Sequence, residues 1–406
     1  MNEFKLGWKI VLVAMLGVAF NGSNILLYTI GALAPQLSQE FGWSHGSIQL
    51  GSLFSIGTVV LALPLAGYLS DKYGVRRLTL FSIILTSLCI ALHAFLSQNI
   101  VFYYMLAVLT ALAFVGSLPL TWTKMVTSWF DRRLGLALGL TLLGTGLGGA
   151  ILKPTTAGLI AELGWRGAYV VLGIIPLVVV FPLVIAWFKE PTSRIVKAVR
   201  VDEDGTVVAP HVPVKKPFKD WRFWAIAIAY IPIGFAVAGL ITNMEVILAS
   251  GGADAALVVT AGTTFGVSVV IGRIIGGYML DKYNPGIVGS TLIMSLSIAF
   301  ILLSQPDLSV SITLLAIALA GFGTGVEFDV LSYLIHRIFG SEHYAKIFGS
   351  IMALLYIGSA FGPVLFGSTY DKYGSFGPVL IPVAVGVFIA SVLIGTLSGS
   401  LRASSS

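Results

Sequence analysis

An all-α membrane protein of twelve transmembrane helices, arranged as two six-helix bundles related by a parallel pseudo-repeat, is what this sequence predicts. Three observations lead there. Of 406 residues, 57% are hydrophobic and only 10% charged, with a mean hydropathy of +0.95, and no soluble surface is built from that composition. Apolar runs of the ~20 residues needed to cross a bilayer recur twelve times. The pattern also repeats at a fixed offset: Asp71 and Asp281 are 210 residues apart, Gly139 and Gly349 are 210 apart, and Phe41-Gly42 and Ser250-Gly251 are 209 apart.

The first run, residues 8–33, is too long for a signal-peptide core and has no small-residue cleavage pattern before PQLSQEFGWS, so it reads as a retained span. Spans follow at 46–69, 77–96, 101–126, 134–161 and 168–188, completing one bundle over 1–189. A charged stretch at 190–221, with VDEDGT and several prolines, reads as a linker loop. Spans at 223–249, 256–280, 285–304, 309–336, 344–368 and 376–398 complete the second bundle, 222–406. Lipid offers the backbone no hydrogen bonds, so each span is expected to be helical. The positive-inside rule orients them. Of the 24 Lys and Arg residues, nineteen fall in loops on one side, Arg166 and Lys372 on the other, and Lys124, Lys153 and Arg273 within spans. Both termini and the linker are therefore expected in the cytoplasm, with the chain in a bacterial inner membrane. This bias accounts for the net charge of +6 without a nucleic-acid partner.

Between the second and third spans runs GYLSDKYGVRR, residues 67–77, and a degraded copy, GGYMLDKYN, stands at 276–284. Gly67, Leu69, Asp71, Lys72, Gly74, Arg76 and Arg77 resemble the loop signature of the major facilitator superfamily. Asp71, Arg76, Arg77 and Asp281 are candidate gating residues: an acid there can accept from a neighbouring helix N-terminus while the arginines pair with acids or lipid phosphate. Snorkelling is the plain alternative for the cations. FGWS at 41–44, SWFDRRLGLALGL at 128–140, GWRGAY at 164–169 and Arg273, eight residues before Asp281, further resemble the branch of oxalate/formate antiporters and monocarboxylate porters. That resemblance implies alternating access around a midplane site between the bundles, and an arginine at the position of Arg273 that binds substrate carboxylate.

The residues themselves point the same way. An ionisable group inside a span is costly unless paired or hydrated. Arg273 lies about 12 Å by helix rise from the cytoplasmic end of its span, where a guanidinium can grip a carboxylate bidentately; a structural ion pair with span 10 is the alternative. In GFGTGVEFDVLSYLIHRIFG, Glu327 and Asp329 lie at similar depth but about 200° apart around the helix. One of them is the candidate proton carrier, released from Arg273 when substrate takes the guanidinium; the other braces helices. Asn21, Asn24 and Tyr28 in span 1 and Ser117, Thr121, Lys124 and Ser128 in span 4 form polar stripes expected to face the interior. Lys124 is equally a snorkelling residue near the interface. Lys153 suits a second carboxylate site or an extracellular gate, with Glu245 a gate partner or an interfacial residue. Tyr356 stands about where the oxalate carrier has a second cation, and is a candidate contact for an organic group. Gly349, Gly358, Gly362 and Pro363 suit close packing and a kink in span 11.

Enzyme chemistry has no signature. There is no GxxxxGK[ST] loop. The five histidines lack metal-ligand spacing, and His93 reads as a packing residue. A single Cys89 excludes a disulfide framework. The expected protein is a monomeric secondary transporter of a small organic anion, most simply a monocarboxylate, using no cofactor or metal and working by proton symport or anion exchange. Two alternatives are a drug or cation exporter in which Glu327 meets the substrate's charge, and a transporter-like sensor, for which neither loop nor tail supplies a signalling domain.

Overall fold

The computed structural model describes residues 3–130, 134–189, 217–305, 308–339 and 344–399. Among them the chain is helical, without strands. Helix α7, Leu134–Ile175, runs unbroken except at Gly164, whose φ of 70° and ψ of 173° are not helical. A straight helix over the apolar stretch Leu136–Trp187, 52 residues, would be roughly 78 Å long, more than twice the hydrocarbon thickness. Gly164 therefore turns the chain back, and the stretch is two spans. With that division the described helices give twelve crossings in two groups of six.

Two spans that the sequence predicts as continuous helices are broken. The first consists of α1, Glu3–Ala19, and α2, Gly22–Phe41. Asn21 between them is extended (φ −69°, ψ 157°), and its side-chain oxygen accepts from the Asn24 N–H. The break frees the Val18 carbonyl, which takes Nδ2 donors from Asn21 at 2.6 Å and Asn24 at 2.7 Å. Asparagine favours a break because its side chain competes for backbone partners. The fourth span divides into α5, Ile100–Phe114, and α6, Pro119–Trp129. Pro119 has no N–H and pushes Leu118 out of the helical region (φ −67°, ψ 160°). The Ser117 carbonyl, freed by the break, accepts from Trp122 Nε1 at 2.7 Å. The two breaks touch, since a Cβ at Gly22 would run into Phe114.

The remaining helices are α3, His45–Tyr73; α4, Val75–Leu92; α8, Phe181–Trp187; α9, Trp221–Ser250; α10, Ala255–Lys282; α11, Pro285–Leu303; α12, Val310–Phe339; α13, Tyr344–Tyr373; and α14, Gly377–Thr396. Large apolar side chains such as Leu61, Phe81, Phe95 and Val178 are exposed, which is the surface of a helix bundle that meets hydrocarbon rather than water.

The halves meet along α3 against α13, α7 against α10 and α2 against α9. Small residues let these backbones approach: a Cβ at Gly266 would strike Ala150, and one at Gly46 would strike the Ser368 backbone. At the end away from the termini, polar contacts cross between the halves. The backbone N–H groups of His45 and Gly46, at the start of α3, donate to the Asp371 carboxylate at 2.8 and 2.6 Å, where a helix N-terminus favours an anion. Gln49 Nε2 donates to the Thr242 carbonyl and to Asn243 Oδ1. Lys153 Nζ pairs with Glu245 Oε1 at 2.5 Å, both side chains largely buried.

Candidate functional site

Midway along the helices, a cavity of about 230 Å³ lies between the halves, lined by residues of α2, α3, α10, α12 and α13 among others. The glycines of GFGTG set its charged wall. Gly321 packs on the Phe265 carbonyl and Gly325 on that of Val269, while Gly272 packs on Phe322 from the other side. Backbones this close bring Arg273 of α10 and Glu327 of α12 to the same depth. The Tyr230 hydroxyl donates to the Glu327 carbonyl at 2.7 Å and ties α12 to α9.

Arg273 is 5% exposed and lines the cavity. Its Nε lies 4.0 Å from Asp329 Oδ2, the outer limit of an ion pair. Among the described residues Nε and Nη1 have no hydrogen-bond partner, and neither do Glu327 Oε2 and Asp329 Oδ2. A buried charge with unmet hydrogen bonds costs several kcal/mol. A carboxylate entering the cavity would supply what the guanidinium lacks, through charge-assisted bonds of roughly 1.5–3 kcal/mol each. The two acids are not equivalent. Glu327 lines the cavity, whereas Asp329 does not and instead faces the guanidinium.

The other positions singled out by the sequence divide between the cavity and its supports. Tyr28 and Tyr356 line the cavity. Asn21 and Asn24 also line it, but their amides are committed to the Val18 carbonyl, so the stripe they form is a capped helix start rather than one face of a continuous helix. Thr121 is buried and outside the lining, and Lys124 Nζ donates to Ser70 Oγ at 2.8 Å. With the break at Ser117, the expected stripe in span 4 is not one helical face. Lining residues that the sequence did not single out as binding include Ser52, Ser55, Tyr103, Ser359, Tyr169 and His93. Tyr169 stands inside the quoted GWRGAY. His93 was visible as a polar residue in an apolar span, but hydropathy alone does not separate a cavity wall from a packing site.

The sequence profile of the Major Facilitator Superfamily matches residues 11–363, and again 252–402. The chain belongs to the major facilitator superfamily. It is accordingly a membrane transporter and not an enzyme. Its major facilitator relatives include monocarboxylate transporter 11 of Mus musculus, 27% identical over 91% of this chain and 83% of that protein. A gallate transporter of Pseudomonas putida is 24% identical over 89% of this chain and 85% of its own length. The benzoate transport protein of Acinetobacter baylyi is 23% identical over 94% and 88%. A bacterial homolog of the human lysosomal transporter Spinster, solved in an inward-facing and occupied conformation, superposes with a TM-score of 0.66 over 98% of this chain and 97% of that one, at 17% identity. It shares the major facilitator fold.

Of the candidate gating residues in the superfamily's loop motif, Arg76 Nη2 donates to the Ile185 carbonyl at 2.7 Å and so ties α4 to α8, while Arg77 is exposed. The side chains of Asp71 and Asp281 lie outside the described residues. Lys153 is held by Glu245 and by the Ile241 carbonyl at 3.1 Å, at the end away from the termini.

Proposed function

We propose that the protein carries a small organic anion, most simply a monocarboxylate, across the membrane by alternating access, with Arg273 as the group that holds the carboxylate. One observation carries the reading: a buried guanidinium in the central cavity with two nitrogens unpartnered and its nearest carboxylate only at 4.0 Å. Fixed cations in an apolar cleft are retained where an anion completes them. The relatives named for transport of monocarboxylate, gallate and benzoate support the same class of substrate.

In this scheme the anion draws the guanidinium away from Asp329 and Glu327. Glu327, facing the cavity, is the acid placed to take up a proton from it, which couples transport to protons; an exchanged anion performs the same discharge of the site without one. The end carrying both termini faces the cytoplasm of a bacterial inner membrane, supported by the bias of Lys and Arg to those loops. The linker expected at 190–221 joins the two rocking bundles; its residues 190–216 lie outside the described residues. The contacts of Asp371, Gln49 and Lys153 then seal the outer side of this conformation.

Proteoliposomes test the reading. Preloaded monocarboxylate should drive counterflow of the labelled acid in wild type and fail to do so in Arg273→Gln. Carboxylate flux in that variant equal to wild type would remove the proposal.

A further inference from the structure

The lining that the first bundle supplies also holds polar atoms without hydrogen-bond partners among the described residues. His93, at the end of the third span, and Tyr169, in the sixth, both line the cavity from the first bundle, and both are 1% exposed. Their rings stack at 5.1 Å, and Tyr103 meets His93 edge-on at 6.3 Å. His93 Nδ1 lies 2.9 Å from the Cys89 carbonyl. A carbonyl only accepts, so Nδ1 carries the hydrogen, and Nε2 of the neutral ring is an acceptor. No described residue donates to Nε2, and the Tyr169 hydroxyl has no hydrogen-bond partner among the described residues. Both residues line the cavity, so a ligand there can meet these groups, and aromatic side chains such as Phe114 and Phe328 line the same space together with Ser52 and Ser55.

We infer that His93 and Tyr169 form a second, uncharged recognition pole that selects anions bearing a hydroxyl group at the far end of a flat body. The inference rests on Arg273 holding the carboxylate. An adjacent acceptor and donor together specify the far group. A hydroxyl gives its hydrogen to Nε2 and accepts from the Tyr169 O–H; a ketone answers only the tyrosine, and an ammonium only the histidine. Size and shape specify the body. About 230 Å³ exceeds the roughly 150 Å³ of an apolar cavity that takes up benzene, so a two- or three-carbon acid would leave apolar wall uncontacted and forfeit dispersion energy. A single ring with a carboxylate fills it and stacks on the aromatic side chains. The substrate class is a hydroxylated aromatic monocarboxylate.

Isothermal titration of the purified full-length protein with benzoate, 3-hydroxybenzoate and 4-hydroxybenzoate reads this directly. The wild type should prefer the better hydroxybenzoate over benzoate by about tenfold. That ratio should fall to near one in Tyr169→Phe, which removes a single oxygen and keeps the stack, and in His93→Phe. A wild-type ratio near one, or a ratio unchanged by both substitutions, overturns the inference. So does binding of a short aliphatic monocarboxylate, abolished in Arg273→Gln, with no binding of any of the aromatic acids; the organic-anion reading would survive that result. Aromatic acids bound as tightly by Arg273→Gln as by wild type would instead defeat the organic-anion reading on which the inference rests.

Discussion

Arg273 differs from most buried cations in having its charge answered only at a distance. A lysine in its place would keep the charge but not the planar fork that meets two carboxylate oxygens. Arg273→Lys is therefore expected to weaken carboxylate binding at least about tenfold, the loss of one charge-assisted bond of ~1.5–3 kcal/mol; titration of the purified variant checks this, and wild-type affinity would argue against bidentate capture. The sequence placed Arg273, Glu327 and Asp329 at one depth because helix rise is fixed. It left the acids unresolved because two positions on opposite sides of a helix are told apart only by what packs against each. In the structure the glycines at 321 and 325 turn that helix so that Glu327 meets the cavity. Glu327→Gln should accordingly flatten the dependence of uptake on external pH. Uptake by that variant that still rises as the outside is acidified would take Glu327 off the proton path.

Among elements, the least legible were the interrupted helices. Hydropathy sees residues 8–33 as one apolar run, because a span broken at Asn21 is as oily as an unbroken one. What breaks it is hydrogen-bond competition between Asn21, Asn24 and the Val18 carbonyl. Pro119 gave a local signal for the second break, yet prolines also sit inside α9 and α13, which run through Pro232 and Pro363 as single helices. Neighbouring packing decides which prolines interrupt. Asn21→Ala should cost about 1 kcal/mol, as loss of an N-cap does, seen as a lower midpoint in thermal unfolding of the purified protein; an unchanged midpoint would mean that the break does not depend on the cap. Outside the bilayer, Asp220 caps α9 and accepts from Arg222, which holds its carboxyl below the ordinary 3.8. A depressed folded value means that this contribution is complete at pH 7 and fades only as pH falls below about 3.8. The melting difference between wild type and Asp220→Ala should therefore be flat from pH 7 to pH 5 and shrink only in stronger acid.

For the whole molecule, the twelve-span plan and the two groups of six were legible because bilayer thickness and the 210-residue offset leave little freedom. Contacts across the halves were not, since partners so distant in sequence share no local pattern: Gln49 finds Asn243, and His45 finds Asp371. Lys153 and Glu245 illustrate the middle ground, each visible as a charge near an outer end but joined only in three dimensions. Removing one partner of a buried pair leaves the other uncompensated, at roughly 3–5 kcal/mol, and this burden falls on the conformation closed at that end. In Lys153→Met, a cysteine placed at the buried Thr242 should be labelled by an impermeant maleimide at least about tenfold faster, and the added Glu245→Gln should bring the rate back toward wild type. Equal rates in all three proteins would show that the pair does not hold the outer end shut.

At the centre of the account is a negative charge recognised by a single guanidinium. Calorimetric titration of the purified transporter with one bound monocarboxylate and with its primary amide, the same shape without the charge, measures that most directly. The acid is expected to bind at least about a hundredfold more tightly than the amide, and Arg273→Gln to erase the difference. Equal affinity of the wild type for the acid and the amide would contradict it.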